Sequence, residues 1–272
     1  MPQNGLLLSP NNSKAAVYDK DAVNYFSRAG VTDATAKSQI NAFVKGMKNL
    51  SLYNNMVSWP LRSTQNAGTG ATAYSLGGLG TYDLTLSNSP SRDANGITTN
   101  GTNQSANGTI PASSQWSFIG IMARTNNSDI EPKYYWGLYY SVTNSLAGAT
   151  YYLKDGGLGV FQSENGANNW SPSRAIPNAT TNVGFQSVAY SETGPSANVS
   201  LNGTFSAQTG VRNLSLVRQD RIIIGKRSVG DDTHSAGTHA FYTYINSQLS
   251  DSVVESIRTL YKTTLGTGLG LP

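Results

Sequence analysis

Acid–base cleavage of a glycosidic bond needs two carboxylates on one face, about 5 Å apart when one is the nucleophile. A strand supplies that arrangement when acids alternate along it. The nearest approach in this sequence is Asp129-Ile-Glu131. A third acid is missing, Pro132 follows at once and Asn126-Asn-Ser128 precedes, so the pair reads as solvated loop acids. His234 and His239 are the only histidines, and they stand five apart across Gly237 in a stretch that reads as a loop. A zinc-binding helix wants a spacing of about four. Asp231 and Asp232 lie beside His234 and are weak candidates for a cation site. Calcium takes about six to eight oxygens, so two adjacent acids fall short and no metal is expected. No Gly-x-Ser-x-Gly elbow marks a nucleophilic serine. Gly77-Gly-Leu-Gly80 and the glycines of 266–270 lack the Gly-Lys-Ser/Thr of a phosphate loop. The expectation is no catalytic residue, no enzymatic activity and no cofactor.

Aromatic residues offer more. Tyr134-Tyr-Trp-Gly-Leu-Tyr-Tyr140 alternates as a strand. Tyr134, Trp136, Leu138 and Tyr140 share one face and read as core. Tyr135 and Tyr139 share the other. There they form an exposed platform on which a sugar ring stacks, or they pack against the preceding helix or a second subunit. Trp170 ends the polar run Asn165-Gly-Ala-Asn-Asn-Trp170, where it either pins the loop or is presented to a partner. Tyr135, Tyr139 and Trp170 are the carbohydrate-binding candidates.

The elements that must position these residues follow from composition and periodicity. The chain has 272 residues, 38% hydrophobic and 12% charged, with fifteen Tyr and four Trp. Net charge is +4 with no Lys/Arg run, so no nucleic-acid groove is expected. The absence of cysteine excludes disulfides, thiolate zinc sites and a cysteine nucleophile. No apolar run approaches the roughly 18 residues of a membrane span, and the start of the chain does not read as a secretory signal.

Residues 1–18 read as an extended arm carrying Leu6, Leu7 and Leu8. Residues 19–58 read as a helical segment. Its first helix is capped near Asp21 and ended by Gly30. Its second starts at Asp33 and carries the stripe Ala36, Ile40, Phe43, Val44, Met47 and Leu50, which packs either on the following domain or on a neighbouring subunit. A last helical turn is expected over 51–56. From 59 to 272 short β-rich runs alternate with Gly/Asn/Ser clusters, the pattern of a sandwich. Expected strands are 116–124, 133–142, 149–154, 158–162, 182–190, 196–201, 204–208, 214–218, 221–226 and 239–246, with weaker ones around Tyr82, Leu84 and Leu86. Asn202-Gly203 marks a tight hairpin. A closing helix is expected over about 250–265.

Three segments carry a resemblance. Val199-Ser-Leu-Asn-Gly-Thr-Phe205, Arg221-Ile-Ile-Ile-Gly-Lys226 and Phe241-Tyr-Thr-Tyr-Ile-Asn-Ser-Gln-Leu-Ser-Asp251, the last followed by Leu260-Tyr261, resemble successive elements of laminin G-like domains. Phe43-Val-Lys-Gly-Met47, Ser91-Arg-Asp-Ala-Asn-Gly-Ile-Thr-Thr-Asn-Gly-Thr102, a strand running into Ala123-Arg-Thr125, and Thr264-Leu-Gly266 make the chain similar, over about 19–266, to a phage virion protein family with such a domain. The resemblance implies a mainly β fold: an antiparallel jelly-roll sandwich of the concanavalin A-like kind, with an N-terminal helical segment and a C-terminal helix. It implies a virion structural or surface protein (decoration, head fibre or tail fibre), located on the virion. The chain would form a homo-oligomer and touch other virion proteins through the arm and helices, with Leu6, Leu7, Leu8, Ile40, Phe43 and Met47 as contacts. A module recognising a host surface glycan is the alternative reading. A polysaccharide depolymerase is the third.

Overall fold

The computed structural model describes residues 17–67, 70–125, 133–140, 145–152, 157–161, 173–177, 184–191, 196–208, 219–226 and 234–272. Two helices open it, α1 (Lys20–Ala29) and α2 (Ala34–Asn49). The Asp19 carboxylate caps α1 by accepting from the Asp21 N–H at 3.0 Å, two residues before the cap read from the sequence. Gly30 ends the helix at φ 65°, a left-handed conformation that glycine adopts without steric cost. Asp33 caps α2, accepting from the Ala36 N–H at 2.7 Å.

Strands follow in the order β1 (Met56–Pro60), β2 (Thr72–Ala73), β3 (Leu84–Ser87), β4 (Ser91–Asp93), β5 (Gly96–Asn100), β6 (Ser105–Thr109), β7 (Gln115–Thr125) and β8 (Lys133–Tyr140). Next come β9 (Ser145–Tyr152), β10 (Gly157–Phe161), β11 (Ser173–Pro177), β12 (Gly184–Ser191), β13 (Ser196–Leu201), β14 (Thr204–Gln208), β15 (Arg221–Ile224) and β16 (Ala236–Ile245). Helix α3 (Asp251–Thr263) closes the fold.

The first sheet runs β14-β13-β12-β7-β16-β5-β4, with β1 also paired to β16. The second runs β11-β10-β9-β8-β15-β6-β3-β2. The strand pairs described are antiparallel, including the central β7–β16 and β8–β15 pairs. Asn202 (φ 51°) and Gly203 (φ 88°) join β13 to β14 with Leu201 opposite Thr204, the tight hairpin expected at that dipeptide. The expected strand 214–218 lies outside the described residues.

Alternation along β7 sorts its side chains. Trp116, Phe118 and Met122 face the second sheet, with Trp59, Tyr242 and Tyr244 of their own sheet, and share a core with Trp136, Leu138, Ile222 and Ile224 opposite. Ile119 and Ile121 face the other way, with Phe185, Phe241 and Ile245, onto a layer of helices. That layer contributes Ile40, Phe43, Val44, Met47, Ile257 and Tyr261. The Phe43 ring meets Phe241 edge-on at 5.4 Å, and Phe241 packs on Tyr261 at 4.8 Å. The fold is thus mainly β, an antiparallel two-sheet sandwich with N-terminal helices and α3 lying on one sheet.

Two sequence expectations change. Ile40, Phe43 and Met47 are each 0% exposed, so they bury the chain's own first sheet and present nothing to a neighbouring chain. A helical stripe that must cover a sheet face looks, in sequence, like one awaiting a partner. The helical turn expected over 51–56 is a short 3-10 turn, Tyr53–Asn55, followed directly by β1. Pro60 is tolerated there because it is the last residue of the strand.

His239 also departs from its loop reading. It lies in β16 and is 0% exposed. Its Nδ1 stands 2.7 Å from the Tyr242 hydroxyl, and its Nε2 3.2 Å from Thr99 Oγ1. Thr99 Oγ1 donates to the Ser235 carbonyl at 2.6 Å. Burial pushes the imidazole down to about 3, so it is neutral in the folded protein.

Two outcomes follow. Truncation F43A is expected to cost about 3–5 kcal/mol by denaturant unfolding, with the mass in solution unchanged. The unfolded chain takes up the His239 proton near pH 6.5 while the folded one resists until about 3. Stability from this residue is therefore complete above 6.5 and declines as pH falls toward 3, at up to about 1.4 kcal/mol per pH unit. An imidazole NMR titration should show His239 neutral at pH 5. A midpoint near 6.5 would contradict the buried assignment.

Candidate functional site

The residues picked from the sequence are not brought together. Trp170, Asp231, Asp232, Asp129, Glu131 and Leu6, Leu7 and Leu8 lie outside the described residues. Tyr135 and Tyr139 are described, and they form no exposed platform: they are 0% and 5% exposed. The register of β8 against β9 shifts between Tyr134 and Trp136. This bulge turns Tyr135 into the intersheet core beside Trp136, where strict alternation would have kept the two apart. Tyr139 stands opposite Arg221 on β15, and burial raises its phenol above the usual range.

A cleft that the sequence did not flag lies where α1 and the end of α2 meet the loop before β3. Two cavities, of 180 and 420 Å³, share Asp21 and Tyr53 as a common wall. The smaller is lined further by Asn24, Arg28, Ser75 and Thr81, the larger by Lys20, Lys48, Ser51 and Asn54. Asp21, Asn24, Asn54 and Thr81 are all reached by solvent.

Ion pairs set the geometry. Lys48 Nζ lies 2.7 Å from Asp19 Oδ1 and 2.6 Å from Asp21 Oδ2, and 4.9 Å above the Tyr53 ring. The hydrogen bond from Lys48 holds the Asp19 carboxyl below the usual range. Burial works against the Lys48 charge, but its bonds to Asp19 and Asp21 outweigh this and raise it. Tyr53 is pushed up to about 12 by burial and stays a neutral phenol. On the other side Arg28 Nη2 grips both Asp83 oxygens, at 2.7 and 2.9 Å, and its Nη1 donates to the Ser75 carbonyl at 3.2 Å. Asp83 Oδ1 in turn accepts from the Ser75 N–H and hydroxyl at 2.7 and 2.9 Å. Arg28 therefore staples the loop to α1.

The glycines of Gly77-Gly-Leu-Gly80 serve close packing. A Cβ on Gly77 would lie 2.2 Å from the Met56 carbonyl oxygen, at φ 148°. The loop is held there by Gly78 N–H to Tyr53 O at 2.9 Å and by the Ser58–Leu76 bridge. This combination of hydroxyl, amide, carboxylate and phenol, shaped by a rigid loop, can hold a small polyhydroxylated ligand.

No family model and no curated protein matches the chain. Among solved structures it is similar to Trypanosoma rangeli sialidase in complex with sialic acid, at 15% identity and TM-score 0.59, covering 85% of this chain and 39% of that one. The same sialidase as a covalent intermediate with 2,3-difluorosialic acid matches at 16% identity and TM-score 0.56, covering 85% and 40%. A crystal structure of an HCR/D mutant matches at 9% identity and TM-score 0.51, covering 78% and 52%. The chain thus spans about two fifths of the sialidase's length. These likenesses establish a shared fold. They also correct the expectation of a protein without enzymatic activity: the fold occurs within a sialidase, so the sandwich is no mark of a non-catalytic protein.

Gly77→Ala is expected to destabilise the fold well beyond Gly30→Ala. Gly30 also has positive φ, but nothing lies within 4 Å of its added Cβ, so only the backbone cost of about 1 kcal/mol applies. At Gly77 the clash with backbone adds about 1–3 kcal/mol. Thermal unfolding of the two variants side by side measures the difference.

Proposed function

We propose that the chain is a carbohydrate-binding module that takes a saccharide into the cleft between α1 and residues 75–81. The observation that carries the reading is the cleft itself. Asp21, Asn24, Asn54 and Thr81 offer acceptors and donors around the Tyr53 phenol, on a wall fixed by ion pairs. Sugars are recognised by such alternating hydrogen-bond partners beside an aromatic ring. The sandwich fold, which occurs within a carbohydrate-acting sialidase, supports the reading. Glycan binding is the step that a lectin and a glycosidase share, and it is the step this cleft serves.

A virion location, with other virion proteins as partners, is a further proposal. It rests on the motif resemblance of residues 43–47, 91–102, 123–125 and 264–266 and on nothing in the comparisons.

Asp21→Ala is expected to weaken glycan binding at least tenfold, about 1.4 kcal/mol. The melting temperature should hardly move, because the side chain is part-exposed and Lys48 keeps Asp19. Titration of the full chain with a glycan selected from an array measures this. Unchanged affinity would place the site elsewhere.

A further inference from the structure

The charges around the cleft specify what kind of saccharide it takes. We infer that the ligand is an uncharged glycan, and that acidic sugars are disfavoured because the cleft's inward cations are already consumed by carboxylates. This rests on the carbohydrate-binding reading above and narrows it.

Recognition of an acidic sugar needs a guanidinium or ammonium free to meet its carboxylate, ideally in a bidentate fork. Arg28 would be that group, and its fork is spent. Nη2 holds both oxygens of Asp83, and Nη1 holds the Ser75 carbonyl. Lys48 is spent likewise, between Asp19 and Asp21. Lys20 stands exposed at the rim of the larger cavity. The two cations beside the cleft wall, Lys48 and Arg28, are thus held by three carboxylates, Asp19 and Asp21 on Lys48 and Asp83 on Arg28.

What the pairing leaves over is acceptor capacity. Lys48 engages Asp21 at Oδ2, so Oδ1 is available to two adjacent sugar hydroxyls. A ligand carboxylate placed there would face Asp21 across a few ångströms, a like-charge contact that works against binding. A neutral sugar meets no such opposition. The ligand class therefore differs from that of the sialidase with which the fold is shared.

The test uses the full chain on an array carrying both neutral and sialylated glycans. Labelling of neutral glycans, with sialylated counterparts at least tenfold weaker, is the expected result. Equal or preferential labelling of sialylated glycans overturns this inference and leaves the carbohydrate-binding reading standing. Labelling of neither overturns both.

A second measurement addresses the cause. Asp83→Asn releases the Arg28 fork and is expected to raise the affinity for sialyllactose relative to lactose about tenfold, in a variant shown to be folded by near-UV circular dichroism. Should that variant not fold, Asp21→Asn acts on the other cation and is expected to shift the same ratio in the same direction. An unchanged ratio in the folded variant would show that the carboxylates do not set the preference.

Discussion

β7 and β16 run side by side through the centre of a sheet, where water reaches neither face. Each must therefore carry large apolar side chains in both directions, Phe118 with Tyr242 and Tyr244 toward the second sheet, Ile121 with Phe241 and Ile245 toward the helices. Burial at both faces favours polar groups that find partners inside the protein. Ser58 and Thr243 join their hydroxyls at 2.8 Å. The Ser117 hydroxyl donates to the Ser247 carbonyl at 2.8 Å and accepts from the Leu249 N–H at 2.9 Å, anchoring the chain just before α3. Gly120 leaves room for the Tyr242 ring, which a Cβ would meet at 2.5 Å. The helical layer, and the cleft at its border, exist because that second face had to be covered.

Much of this architecture is legible in the sequence. Asp33 and Gly30 mark helix boundaries by local chemistry, and Asn202-Gly203 marks a hairpin by its tolerance of positive φ. Gly96–Asn100 and Ser105–Thr109 are less so. Their Gly, Asn and Thr residues look like loop, and they are strands because Ile97 and Ala106 find places in the core while neighbours supply the ladder. Tyr135 fails for a different reason: one bulged residue reverses the side to which a period-two pattern assigns it. The stripe of α2 was readable, but its target was not, since burial against a sheet and burial against another chain demand the same residues.

The cleft was hidden more thoroughly. Asp21 reads as a helix cap, and Asp19, Arg28 and Lys48 belong to no motif in the sequence. Their meaning lies in contacts across 29 residues for Lys48 with Asp19 and 55 for Arg28 with Asp83. No local spacing encodes such pairs. The glycine run 77–80 was visible, yet what Gly77 allows is a backbone approach to β1 and no phosphate loop. Ion pairs of this exposure add little to stability. Their effect is to fix side chains that would otherwise wander, and a fixed wall is what distinguishes a binding cleft from an ordinary surface dent.

β16 has one further implication, for how the molecule is made. Its first half pairs with β5 and its second with β1, while β7 lies along the opposite edge. The Ser58–Thr243 contact spans 185 residues. During synthesis the slot between these strands stays vacant until residues 236–245 have left the ribosome. Until then the oily backs of β7, β1 and α2 have no cover, and loop closure over such distances is slow. A vacant slot with unpaired edges also accepts the equivalent strand of a sister molecule. Nascent copies held close together, as on a polysome, would exchange β16 unless something shields that gap until this strand arrives.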